Sequence, residues 1–506
     1  MKWNHRITAI ATALLAMTSV YAGEIVVHEG ESIHDALRQA REWRRTGDAR
    51  CEGGITIRIK AGRYYMNEPL FIRPEDSGTA ASPTIIRGEE GTVLCGDPQQ
   101  RHIQLWPKEG MEPIIDFNTE ERTITIPTPT MSGEGWAKAE MVVHQRWAIA
   151  ILRVREMRMQ GDKTIVSFME PESRLEFEHP WPQPVIGGER GNSRFLLRTT
   201  EQRDGIEQLI IVEGTDDTPV KYVRLENLTL ENTCWNRPLH KGHVTLQGGF
   251  PLVDAYKLRQ EGLPWDATLE NQAWVERPVS AVSVSHAQHV DVKDCLFHHL
   301  GATALDYVSG VSDCTISGNI FEDIGGTAIL AGSFAESPRE VHRPYTHLAA
   351  HCQRIVISGN TIRHATTEDW GAVGIGCGYV REVTITNNEI SDVNYSGICV
   401  GWGWTSADTG MRGNRIIGNR IRSYACQLYD AGGIYTLSNQ PDSEISGNEI
   451  SAPYPAPYAT NDRGFRIYLD AKTDGYTLRD NKTEGKPITR DMIGDNQPGT
   501  KLLFLK

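Results

Sequence analysis

Between residues 315 and 483 the chain repeats one pattern six times: an apolar residue, two spacers, an Asn, one spacer and, in most copies, a second apolar residue. The copies are Ile316–Phe321, Ile357–Ile362, Ile385–Ile390, Ile416–Ile421, Ile445–Ile450 and the weaker Leu478–Thr483. Their central residues Asn319, Asn360, Asn388, Asn419, Asn448 and Asn481 follow one another at 41, 28, 31, 29 and 33 residues. A repeat of this length marks a unit that cannot bury its apolar face alone and must stack on copies of itself. Each unit reads as short β-rich runs, such as Ile355-Val356-Ile357 and Val383-Thr384-Ile385, separated by Gly, Asn and Asp. No copy carries the i, i+3, i+4, i+7 stripe of a helix. A recurring Asn fits a turn, where it tolerates positive φ, and stacked amides can bond one another along the solenoid axis. Second strands follow at Ala304-Leu305, Ala328-Ile329, Val373–Ile375, Gly397–Val400, Gly433–Leu437 and Arg466–Leu469. The pattern predicts an all-β, right-handed parallel β-helix.

Elsewhere the rhythm changes. Ser32 opens an amphipathic run to Trp43 that reads as a helix capping the solenoid's open end. The alternating strands within residues 104–205 predict a small inserted β subdomain. The main β-helix, 206–485, is interrupted by a long irregular stretch, 234–278, which holds Trp235, His240, His243, Trp265 and Trp274. The remaining divisions are a signal segment (1–22), an N-terminal cap with the first coils (23–103) and a tail (486–506).

Residues 1–22 read as a secretory signal, with Lys2 and Arg6 ahead of an apolar run from Ile7 to Val20 and a small-residue site at Val20-Tyr21-Ala22. That run falls short of the ~20 residues a membrane span requires. An exported, periplasmic or extracellular protein with no membrane span is expected. The net charge of −13 becomes more negative once Lys2 and Arg6 are removed, which disfavours nucleic acid as a partner. The nine cysteines form no C-x-x-C pair and read mostly as small buried residues. With no H-E-x-x-H or EF-hand pattern, no metal or cofactor is expected.

Candidate chemistry concentrates near the C-terminal third. Gly401-Trp402-Gly403-Trp404, Tyr429–Leu437 and Gly464–Asp470 follow consecutive coil strands, so stacking makes them neighbours on one face. Aromatic planes stack on the C–H faces of sugar rings, and two carboxyl groups perform glycoside hydrolysis. Asp430 and Asp470 are the leading catalytic pair. Trp402, Trp404, Tyr435, Arg466, Tyr468 and Asp369 are candidate substrate-binding residues, with Asp369 and Asp306 as substitutes for the pair. Registering Ile434 on Ile467 sets the two aspartates at opposite strand ends, so their meeting requires the chain to turn at Gly432-Gly433, glycines that also leave room for a ligand. His298-His299 reads as turn or core.

Together with Pro74–Thr79, Pro83–Arg87 and Tyr395–Trp404, the phrases Asp430–Leu437 and Ile467–Asp470 resemble secreted β-helix glycoside hydrolases of the α-L-fucosidase and xylanase type. The resemblance implies cleavage of a plant-type or complex oligosaccharide or polysaccharide, with Asp430 and Asp470 as acid and base or nucleophile. Analogy with other β-helix proteins implies a monomer. The competing readings are a polysaccharide lyase or uronate epimerase, which needs cations beside an acidic sugar, and a non-catalytic glycan-binding solenoid, which needs neither aspartate.

Overall fold

The computed structural model describes residues 22–97, 111–129, 139–179, 182–199, 205–254, 274–336, 339–340, 348–454, 464–494 and 501–503. The signal expected at 1–22 therefore lies, apart from Ala22, outside the described residues, as do Trp265 and the side chain of Trp274. Among the described residues three long sheets of 15, 11 and 10 strands run along a right-handed β-helix, and consecutive coils pair in parallel.

The repeat explains the geometry. Its first apolar residue stacks in the first sheet, Ile316 on Ile357, Ile385, Ile416, Ile445 and Leu478. Its second stacks in the second sheet, Phe321 on Ile362, Ile390, Ile421 and Ile450. Every member but Leu478 is at most 1% exposed, so each coil adds about 1.5–3 kcal/mol of burial per large side chain.

The Asn stands at the corner between those sheets, facing inward. Each Nδ2 donates to the Oδ1 of the next coil's Asn at 2.9–3.0 Å, an unbroken ladder from Asn319 to Asn481. Positive φ belongs not to the Asn but to the residue before it, Gly318, Gly359, Asn387, Gly418, Gly447 or Asp480. That residue makes the corner, which frees the Asn to serve the ladder.

Helix α1 (Ile33–Thr46) covers the N-terminal end, with Ser32 Oγ accepting from the Asp35 amide at 3.1 Å and Gly47 closing it at φ 65°. At the other end Lys501–Leu503 pairs with Thr477–Arg479, so the solenoid reaches into the segment read as a tail. Three residues were too short a run to show this in sequence.

A separate antiparallel sheet of eight strands includes Ala139–His144, Ile149–Gln160, Lys163–Phe168 and Arg194–Thr199. Its further strand, His243–Val244, comes from the irregular stretch after the first coils and pairs with Ala150 and Ile151. No helix among the described residues is long and apolar enough to cross a membrane. All nine cysteines are free thiols, seven of them buried.

Candidate active site

The third sheet builds the site. Strands Ile398–Val400, Ala431–Thr436 and Gly464–Leu469 are consecutive rungs, with Ile398, Ile434 and Ile467 stacked inside the solenoid. Pleating turns Tyr435 and Tyr468 to the outer face, where they form a small cluster with Leu437 that Trp404 and Phe465 pack against.

The aspartates lie where the register puts them, Asp430 before its strand and Asp470 after the next one. The chain does not turn at Gly432-Gly433. The strand runs through both glycines, and the left-handed residue is Asp430 itself at φ 63°. Nor do the glycines make room for a ligand: a Cβ on Gly432 would stand 3.0 Å from Tyr468 Cβ, and one on Gly433 2.4 Å from Ile450 Cγ2. They let neighbouring coils close up.

What joins the aspartates is a crossed pair of phenols. Tyr468, on the strand of Asp470, donates to Asp430 Oδ1 at 3.1 Å. Tyr435, on the strand of Asp430, donates to Asp470 Oδ2. The two rings meet edge to face with centroids 5.2 Å apart. One coil back, Tyr395 donates to the Asp430 carbonyl at 3.0 Å. Burial first, and then the neighbouring charges, hold the Tyr435 and Tyr395 phenols well above their ordinary value, so both remain protonated donors.

A loop from the irregular stretch completes the cluster. After His243–Val244 the chain folds into a tight loop closed by Leu246 N to Phe250 O at 2.9 Å, with positive φ at Gly248 and Gly249. At its tip Gln247 Nε2 bonds the Tyr395 and Tyr435 hydroxyls at 3.2 and 3.1 Å. The antiparallel subdomain braces this loop through Trp147 Nε1 to Leu246 O at 3.0 Å, and it meets the Asp430 coil through Tyr429 N to Arg146 O at 3.2 Å.

The other predicted residues divide. Trp404 is half-buried against the tyrosines, whereas Trp402 is 3% exposed and clamped between Phe250 and Phe334. Trp402 thus anchors the loop and offers no open face. The charge of Arg466 reaches Tyr424 and Asp491. Asp369 lies farther back, bonded through Oδ2 to His243 Nε2 at 2.8 Å and through Oδ1 to the Gly371 amide at 3.0 Å. Asp306 is bound bidentately by Arg277. His298 and His299 lie near Glu231 and Asp323, away from the paired aspartates. Gln247 was missed in sequence because it is 188 residues from the tyrosine it bonds, in a stretch without periodicity. Its only signal was the length of that stretch.

Two family profiles match the chain, one described as a GH141 insertion domain over residues 99–203 and one as a right-handed β-helix region over 280–487. A solved structure described as a glycoside hydrolase is 35% identical, with 96% of each chain covered and a TM-score of 0.86. The chain belongs to that glycoside hydrolase family. Among more distant structures, XylC with xylose is 10% identical with a TM-score of 0.40, over 92% of this chain and 70% of that one. An alginate lyase from Paenibacillus sp. str. FPU-7 is 10% identical with a TM-score of 0.41, over 96% and 98%. Comparison with curated proteins gave no match. The segment matched by the insertion profile contributes strands to the antiparallel sheet that braces the Gln247 loop.

Proposed function

We propose that the protein is an exported glycosidase that cleaves a plant-type or complex glycan, of the kind fucosidase- or xylan-type enzymes act on, with Asp430 and Asp470 as its catalytic carboxyl groups. The crossed Tyr435–Asp470 and Tyr468–Asp430 hydrogen bonds carry this reading. They hold two carboxyl groups on adjacent coils beside aromatic rings, and a pair of carboxyl groups is what glycoside hydrolysis uses. Membership in a glycoside hydrolase family supports the reaction class, and the apolar segment within residues 1–22 supports export. The helix over the N-terminal end and analogy with other β-helix proteins favour a monomer.

The hydrogen-bond chain supports different roles for the two aspartates. Gln247 donates to Tyr435, which donates to Asp470. Donors in series polarise one another and favour the ionised carboxylate, so Asp470 is the base or nucleophile. Asp430, which accepts from the phenol of Tyr468, is then the acid that protonates the leaving oxygen.

Purified wild type, Asp430→Asn and Asp470→Asn are incubated with a panel of plant and host oligosaccharides. New reducing ends from the wild type, lost in both variants, support hydrolysis. Products absorbing in the ultraviolet would establish a lyase instead, and binding without turnover an adhesin.

A further inference from the structure

Upstream of the paired aspartates the same corner of the solenoid opens into a cavity of about 250 Å³. Its floor is the small-residue corners Gly301–Thr303 and Gly325–Thr327, which precede two third-sheet strands. Its walls come from Trp235, Arg237, Lys241, His243 and Asp369. Asp369 precedes Ile375–Cys377, which lies two rungs before Ala431–Thr436, about 10 Å along the axis; the Thr303–Tyr307 strand lies four rungs before it, about 19 Å.

The cavity and the aspartate cluster share one structural part. The loop whose tip reaches Tyr435 through Gln247 also seats Gly249 on Asp369, so closely that a Cβ at 249 would stand 2.9 Å from Asp369 Oδ2. Two of the lining residues also carry enclosed polar atoms. His243 Nδ1 and Arg237 Nε are buried and have no hydrogen-bond partner among the described residues, although His243 Nε2 is bonded to Asp369.

Charge identifies the class of ligand. The lining cations Arg237, Lys241 and Arg277 are matched by Glu207, Glu276 and Asp369, and Glu276 holds both Arg237 and Lys241. A balanced lining gives no net attraction to a carboxylated sugar, but it offers both donors and acceptors to hydroxyl groups. Trp235 adds an aromatic surface for C–H faces. We infer that this cavity is a distal subsite that holds an uncharged pyranose unit of the substrate two to four rungs, about 10–19 Å along the axis, before the Asp430 coil. The inference rests on the glycosidase reading and extends it: the enzyme acts on a chain or branch long enough to fill both places.

The test is calorimetric titration of an Asp430→Asn protein, alone and carrying Trp235→Ala or Val279→Trp, with xylohexaose, a fucosylated xyloglucan oligosaccharide and an oligogalacturonide. Val279 lines the cavity and is half-buried, so the larger side chain fills the space without removing a polar group. The expected result is at least tenfold weaker binding of a neutral oligomer in both variants, with circular dichroism unchanged. If Trp235→Ala does not fold, Val279→Trp decides alone. Unaltered affinity, no binding by any probe, or selective binding of the oligogalacturonide would each overturn the inference. Hydrolysis is measured in parallel: turnover that survives Asp430→Asn would overturn the assignment of the carboxyl groups while the binding result still decides the subsite.

Discussion

Two corners of the same coil are built on opposite plans. At the corner between the first and second sheets six consecutive coils repeat one residue in one role, and the Asn ladder continues from 319 to 481 without a break. At the corner before the third sheet the coils vary: one presents Asp369, another Asn394 and Tyr395, another Asp430. Stacking energy accumulates where the coils are alike, and chemistry sits where they differ. The antiparallel subdomain and the Gln247 loop cover the second kind of corner and leave the first to solvent and its own ladder.

The comparison breaks most sharply if the corners can be disabled separately. Asp430→Asn or Asp470→Asn is expected to lower kcat by about 10³-fold, within the range for losing an acid or base, while the melting temperature stays within about 2 °C of wild type. Asn388→Leu is expected to do the reverse. It removes the amide that donates to Asn419 and accepts from Asn360, leaving buried partners unpaired at a cost of about 2–4 kcal/mol in chemical denaturation, with kcat changed less than about threefold.

Tyr435→Phe tests the cross-bracing itself. Losing the donor to Asp470 should reduce kcat about 10–100-fold. Because that donor favours the ionised form of the carboxylate it bonds, its loss should move the acid limb of the pH–rate profile to higher pH.

Acid should distinguish the corners too. His144, on the subdomain strand nearest Trp370, is fully buried, and burial lowers its pKa from 6.5 to about 3. A histidine depressed in this way contributes stability that is present above its unfolded pKa and is lost as pH falls towards the folded one. Between pH 7 and pH 5 that loss is about 2 kcal/mol, visible as a falling melting temperature that His144→Phe makes shallower. The smallest effect is expected from Gln247→Leu, about fivefold in kcat, with the same direction of pH shift as Tyr435→Phe.

The regular corner was the legible one. The spacing of Ile, Asn and Phe or Ile shows the sheets and the ladder because six consecutive coils repeat it; only the residue taking positive φ was misplaced, by one position. The irregular corner was legible as far as coil register carries. Aligning Ile434 with Ile467 brings Tyr435 beside Tyr468 and sets each aspartate at its strand end. Register cannot show which side chain crosses to which, and it is silent about a loop that arrives from elsewhere. His243 and Gln247 come from a segment folded onto the insertion's sheet, 126 and 188 residues from the partners they bond. Trp402 was misjudged for the same reason, since Phe250 covers it from that loop.

The Asn ladder behaves as a polar filament as well as a set of bonds. All of its amides point the same way, each NH₂ group towards the next coil's oxygen, so their dipoles add along the solenoid. A filament responds to a defect by its place as well as its presence. One substitution near the middle leaves two short segments, whereas the same change at Asn481 merely shortens the column. The tolerance of this protein to altering a single repeated residue should therefore be graded from its ends to its centre.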